Sequence, residues 1–120
     1  LSLSRRTFLE ALDRASIIAS GANDIVRITF TDNQLQIRAN APSLGDFRED
    51  IPINRVSGSE ELKVAFNVKL LIDPIKTIQS DDLKLKLNGM VSPCIIEPLG
   101  DTDYTYIIMP INTSDYQQDS

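Results

Sequence analysis

The sequence predicts an α+β domain in which one strand–helix–three-strand unit is used twice. Three observations predict it. Two segments carry apolar residues at helical spacing, and eight others alternate or run apolar over strand lengths. The order of elements from about Leu1 to Ile53 recurs from about Leu62 to Ile111, although the residue identities of the halves barely match. Two helices can then lie side by side on one face of curved antiparallel sheets.

The first element is Leu1-Ser-Leu-Ser4, which reads as a strand entered in mid-chain and predicts a domain cut from a longer protein. Phe8, Ala11, Leu12, Ala15 and Ala19 follow at spacings of three and four, with Ser4 as N-cap and Gly21 as the stop. Ile25–Phe30 and Leu35–Ala39 alternate around the Thr31-Asp-Asn-Gln34 turn. Phe47–Ile53 is the last strand of the first unit, after the Pro42–Gly45 loop. Asn54–Glu61 links the halves. Leu62–Phe66 alternates and enters the second helix, capped by Asn67 and striped by Val68, Leu71, Ile72, Ile75 and Ile78. Pro74 removes a donor and crowds the preceding turn, so an irregularity is expected there rather than the helix end. Leu83–Leu87, the Asn88-Gly89 turn, Cys94–Glu97 and Tyr104–Met109 complete the second unit. Residues 1–112 form the expected domain, and Thr113–Ser120 is a polar tail.

Composition removes several function classes. The 120 residues include no His and one Cys. A His-based catalytic triad, an imidazole base near neutral pH, a His or multi-Cys zinc site and an internal disulfide are therefore excluded. An enzyme would have to work with shifted carboxylates or lysines, and no such site is visible. Asp81-Asp82 and Asp101-Thr-Asp103 fit turn chemistry better than metal binding, and there is no phosphate-binding glycine loop. No cofactor and no metal are expected. No apolar stretch is long enough to cross a membrane. A lone Cys94 without a signal segment fits a cytoplasmic setting.

The net charge of −5 argues against a general nucleic-acid binder. Its distribution softens that argument. Arg5, Arg6, Arg14, Lys69 and Lys76 on the helices face three helix acids, a surplus of two positive charges. The rest of the chain has seven basic and fourteen acidic residues. Ordinary solvated helix faces would account for this, and so would a mildly basic face for a phosphate backbone.

Three segments point further. Ala65-Phe-Asn-Val-Lys-Leu-Leu-Ile-Asp-Pro-Ile75, Leu87-Asn-Gly-Met-Val-Ser-Pro-Cys-Ile-Ile-Glu-Pro98 and Tyr106-Ile-Ile-Met-Pro-Ile-Asn112, in this order and spacing, resemble the C-terminal domain of the bacterial DNA polymerase III β subunit family, the replicative sliding clamps. Arg14–Ile18 and Leu35–Asn40 resemble it too, so the likeness covers Leu3 to Asn112. It implies the DNA-clamp fold and a non-enzymatic processivity factor. Three such domains per chain would close head to tail, as a homodimer, into a ring around duplex DNA. DNA polymerase, the clamp loader and repair proteins would dock through short apolar peptides.

By matching positions, the resemblance assigns this domain's share of the peptide pocket to Asn67, Val91, Pro93, Ile107, Ile108, Met109, Pro110 and Ile111. Strand alternation alone would put about half of the strand positions among these in the core. Arg5, Arg14, Lys69 and Lys76 would face DNA, on one common face. Ile17 and Ile18 would belong to the ring interface; as neighbours on a helix they cannot point the same way, and simple core fits Ile18 equally well. Asp46, Glu49 and Asp50 could face a basic partner edge or serve solubility. Leu70 replaces a usual Tyr and Asn112 a common Arg, and the chain continues past the usual end. A protein-interaction adaptor with the same duplicated topology and no DNA role is the other reading of the residues.

Overall fold

The computed structural model describes residues 1–54, 61–87, 93–98 and 105–111. Strand β1 (Ser2–Ser4) enters helix α1 (Arg5–Ala19), followed by β2 (Ile25–Phe30), β3 (Gln34–Ala41) and β4 (Gly45–Pro52). The second unit repeats this as β5 (Leu62–Asn67), α2 (Val68–Thr77), β6 (Asp82–Lys86), β7 (Cys94–Pro98) and β8 (Tyr106–Ile108). The duplicated α+β order expected from the sequence is the order observed. The turn at Asn88-Gly89 and the tail lie outside the described residues. Among the described residues no helix is long and apolar enough to cross a membrane.

The halves are interlocked. One antiparallel sheet has the order β4-β3-β2-β5 and the other β1-β6-β7-β8. Each unit therefore gives its first strand to the other unit's sheet. Both exchanged strands are also tied back to their own unit. Ser2 and Asn54 exchange two backbone hydrogen bonds of 2.8 and 2.9 Å, and Ile111 N–H donates to the Ala65 carbonyl at 2.8 Å. The helix starts repeat the theme. Arg5 N–H donates to Asp81 O at 2.9 Å, and Val68 N–H to Asp24 O at 2.8 Å. Each helix thus begins against the segment that leaves the other helix, which sets the two antiparallel.

Local chemistry fixes the helix ends. The Ser4 hydroxyl accepts from Thr7 N–H at 3.3 Å, and Asn67 Oδ1 accepts from Lys69 N–H at 3.0 Å. These caps satisfy donors that no helical carbonyl can reach. α2 runs through Pro74 and ends three residues later; Thr77 closes it by donating its hydroxyl to the Pro74 carbonyl at 2.8 Å. After α1 the chain turns through Asn23 and Asp24, both at φ near 60°. Asn and Asp tolerate this left-handed region better than most residues. Gly45, at φ 112°, opens β4 in a conformation that side chains rarely adopt.

The apolar stripes of both helices cover one face of each sheet. Phe8, Leu12 and Ala15 of α1 join Val26, Ile28, Phe30, Leu35 and Ile37, and Leu71 and Ile75 of α2 join Leu83, Leu85 and Ile96 in the same continuous core. Because each sheet contains a strand from the other half, neither half can bury its own core. The expected outcome for a chain split at the linker is that residues 1–54 and 61–120, prepared separately, show no cooperative thermal transition by circular dichroism. Mixed, they regain one. A cooperative melt of residues 1–54 alone would contradict the interlocking.

Candidate peptide and ring interfaces

Among the described residues, strands β4 and β8 are the outer strands of the two sheets, related by the internal duplication. They carry different chemistry.

The β8 side gathers most of the expected pocket residues. Tyr106 Oη and Thr77 Oγ1 are hydrogen-bonded at 2.9 Å, and Ile111 N–H reaches Ala65. The segment is thus fixed at one end to the last residue of α2 and at the other to the strand before it. Five extended steps cover about 16 Å, which matches the roughly 15 Å length of a ten-residue helix. Met109, Pro110 and Ile111 are thereby set near the Asn67 cap. Pairing alternates along β8. Ile108, opposite Cys94, is buried in the core, whereas Ile107 and Met109 are 66% and 59% exposed. Pro93, one residue before Cys94, falls beside Met109 and is exposed.

Of the expected pocket residues on β8, Ile108 is thus turned inward by strand period. Asn67 is half-buried, and its carbonyl oxygen is engaged as helix cap. Val91 lies outside the described residues, as does Asn112. Leu70, where the resemblance leads one to expect Tyr, is 56% exposed on the first turn of α2. It adds apolar surface near the cap that residue type alone does not place.

The β4 side holds the ring-interface candidates. Ile17 is 67% exposed, and Ile18 is half-buried against the core. Consecutive helix positions differ by about 100°, so the split is the expected one. Arg14, one turn before Ile18, reaches over β4 in a bidentate pair with Glu49, at 2.9 and 2.6 Å. That hydrogen-bonded carboxylate raises the Arg14 guanidinium further above its usual range. Leu44, exposed at the β3–β4 turn, was not singled out by residue pattern. Its side chain closely approaches Gly21 at the end of α1, where a Cβ would meet Leu44 Cδ1 at 2.9 Å.

The four expected DNA-facing cations do not form one uniform face. Arg5 Nε donates to Ser80 O at 2.9 Å and Nη1 to Ile75 O at 3.5 Å, so this half-buried guanidinium completes the C-terminal end of α2. A cation there also suits the helix dipole. Arg14 leans the other way, toward the β4 edge. Lys69 lies 3.6 Å from Asp24, and Lys76 is exposed in the last turn of α2. Period placed all four on polar sides, but period does not show which tertiary acceptor each would meet. The acidic group on β4 is divided likewise: Glu49 faces α1, and Asp46 and Asp50 accept from Asn40 and Gln36 on β3.

The family model for the DNA polymerase III beta subunit, C-terminal domain, matches residues 1–112. The chain belongs to this family. A beta sliding clamp of Staphylococcus aureus is 33% identical over 114 residues, spanning 94% of this chain, and one of Staphylococcus epidermidis is 31% identical over the same length. The DNA polymerase III beta subunit of Thermotoga maritima superposes with a TM-score of 0.87 at 30% identity, over 92% of this chain. A Bartonella birtlesii sliding clamp bound to griselimycin superposes at 0.84 with 27% identity. The chain spans about 30% of the length of these relatives. The clamp-domain fold expected from the resemblance is thus the fold found.

In this clamp domain the buried titratable groups support structure. Burial pushes the Cys94 thiol up to about 12. Glu97 is held below its ordinary value chiefly by the Lys86 ammonium at 3.0 Å, and Thr105 donates to it at 3.3 Å. Two pH effects follow from the signs. The raised thiol favours the folded state below its unfolded value and loses that contribution as pH rises toward 12; a thiol reagent should modify Cys94 only on unfolding. The lowered carboxyl favours the folded state above its unfolded value, and the contribution disappears as pH falls through the folded one. Glu97→Gln should therefore flatten the fall of the urea midpoint as pH drops below the ordinary glutamate range. An unchanged acid slope in that variant would contradict the assignment.

Proposed function

We propose that this chain is the third domain of a sliding clamp. It would help to close a head-to-tail homodimeric ring around duplex DNA and receive short apolar peptides of DNA polymerase, the clamp loader and repair proteins. The carrying observation is that the described residues leave two outer sheet strands, β4 and β8, in a domain of this family. A unit with two adhesive edges can be strung into a closed ring, whereas one edge alone would stop at a dimer. The β4 edge, with Ile17, Ile18 and Leu44 beside it, is the side for the partner chain. The β8 edge, with Ile107, Met109, Pro110 and Ile111, is the side for the preceding domain and for peptide.

The role is a tether, not catalysis. A ring held to DNA by topology keeps its bound partners at high local concentration without contacts that would stall sliding. Lys69 and Lys76 supply weak, sequence-independent attraction to phosphate. Arg14 contributes less, since Glu49 offsets its charge. The apolar side chains and soft Met109 suit Leu or Phe anchors of a peptide. The relative bound to griselimycin supports a ligand site in this family. The family match favours this reading over an adaptor without a DNA role.

Two outcomes test it. A peptide with two apolar anchors should shift the Met109 methyl signal in NMR, and Met109→Ala should weaken binding about tenfold, the cost of one buried anchor. No shift at saturating peptide would sink the pocket. In the full-length ring, Lys76→Gln should lower the slope of log affinity for DNA against log salt by about one, and Arg14→Gln by clearly less. Equal effects would count against the different roles given to these cations.

A further inference from the structure

The outward face of the β4-β3-β2-β5 sheet carries a feature that neither the ring nor the peptide pocket uses. Strand register places Arg27 of β2 directly opposite Arg38 of β3, and Arg38 directly opposite Arg48 of β4. Their neighbours in sequence, Val26, Ile28, Ile37 and Ala39, are buried beneath the helices, so period 2 sends all three guanidinium groups to the opposite side. Strands lie about 4.8 Å apart, so the row is about 10 Å long.

Like charges directly opposite one another destabilise a sheet, and here nothing described offsets the central and outer members. Among the described residues neither Arg38 nor Arg48 has a carboxylate within 4 Å. The nearest acids along β4, Asp46 and Asp50, accept instead from the amides opposite them, Asn40 and Gln36. The same three arginines line a concave site of about 670 Å³, with Asp46 as its one carboxylate, Asn23 and Asn40 as amide groups and Ile25 and Phe47 as apolar wall. That volume is in the range of small-ligand sites.

We propose that this site binds a small polyphosphate-bearing ligand, a nucleoside triphosphate or a related chain of phosphoryl groups. The Arg38 and Arg48 forks, side by side on neighbouring strands, together reach further than one tetrahedral anion and fit successive phosphoryl groups, and Arg27 adds positive charge at the end of the row. The amides and apolar wall at one end leave room for a planar base. An acidic peptide would satisfy the charge but would not need the apolar side chains beside it.

The test uses inorganic triphosphate and ATP as probes, followed by calorimetry and NMR. The expected result is binding at sub-millimolar to millimolar concentration, weakening with salt, with ATP tighter than triphosphate. Arg38→Gln should weaken both about tenfold, the loss of one charge-assisted contact. Lys84→Gln, an exposed cation on the other sheet, should leave binding unchanged. The thermal midpoint of Arg38→Gln should stay level or rise, since it relieves like-charge repulsion; this separates a lost contact from a lost fold. Absence of binding, equal weakening by Lys84→Gln, or equal affinity for a glutamate oligomer of matching charge would each overturn the proposal.

Discussion

The exchange of first strands is the constraint on which the rest of this domain depends. β1 completes the sheet of the second unit and β5 that of the first, while the Ser2–Asn54 and Ala65–Ile111 bridges tie each exchanged strand back to its own half. Both helices start from these strands, so their antiparallel setting follows from the exchange. The two sheets and the two helices therefore share one core rather than two small ones. A single core matters at this size, because a half of about 55 residues would bury a smaller share of its surface and be marginal alone.

The same constraint positions the functional surfaces. With β1 and β5 occupied on both sides, the sheets are left, among the described residues, with β4 and β8 as outer strands. Edge strands are a liability in a monomer and an opportunity in an assembly. Here they separate two tasks: an edge flanked by exposed Ile17 and Leu44, and an edge whose outward residues, Ile107 and Met109, lead toward the cap of α2. The cap itself shows how one residue serves both levels. Asn67 ends β5, begins α2 and contributes its amide to the surface that would receive a peptide.

Charge is organised by neighbours rather than by element. The basic surplus of the helices is real in sequence, but Arg5 is engaged by the Ser80 and Ile75 carbonyls and Arg14 by Glu49. What remains open on that face is chiefly Lys76, with Lys69 loosely held by Asp24. Conversely, a concentrated basic feature sits where the composition gives least reason to expect it, on the outer face of a sheet within the acidic part of the chain. The ion pair of buried Glu97 with half-exposed Lys86 and the buried Cys94 are structural in both charge and position.

The sequence by itself determined the elements, their order and the faces they bury. Apolar spacing at 3.6 and 2 residues is a local property, and so are the Ser4 and Asn67 caps and the turn between β2 and β3. The three family segments were likewise contained in the residues. Even the Arg27–Arg38 pairing was within reach, since a turn centred on Asp32 and Asn33 fixes the register of that hairpin. Its extension to Arg48 was not, because it depends on the path of the Ala41–Leu44 turn into Gly45. Only the tertiary structure decided which strands were exchanged, that Ile108 turns inward while Ile107 and Met109 turn outward, and which acceptors claim Arg5 and Arg14. The physical reason is common to all of these. Each depends on a partner distant in sequence, and side-chain period gives a direction without saying what stands there.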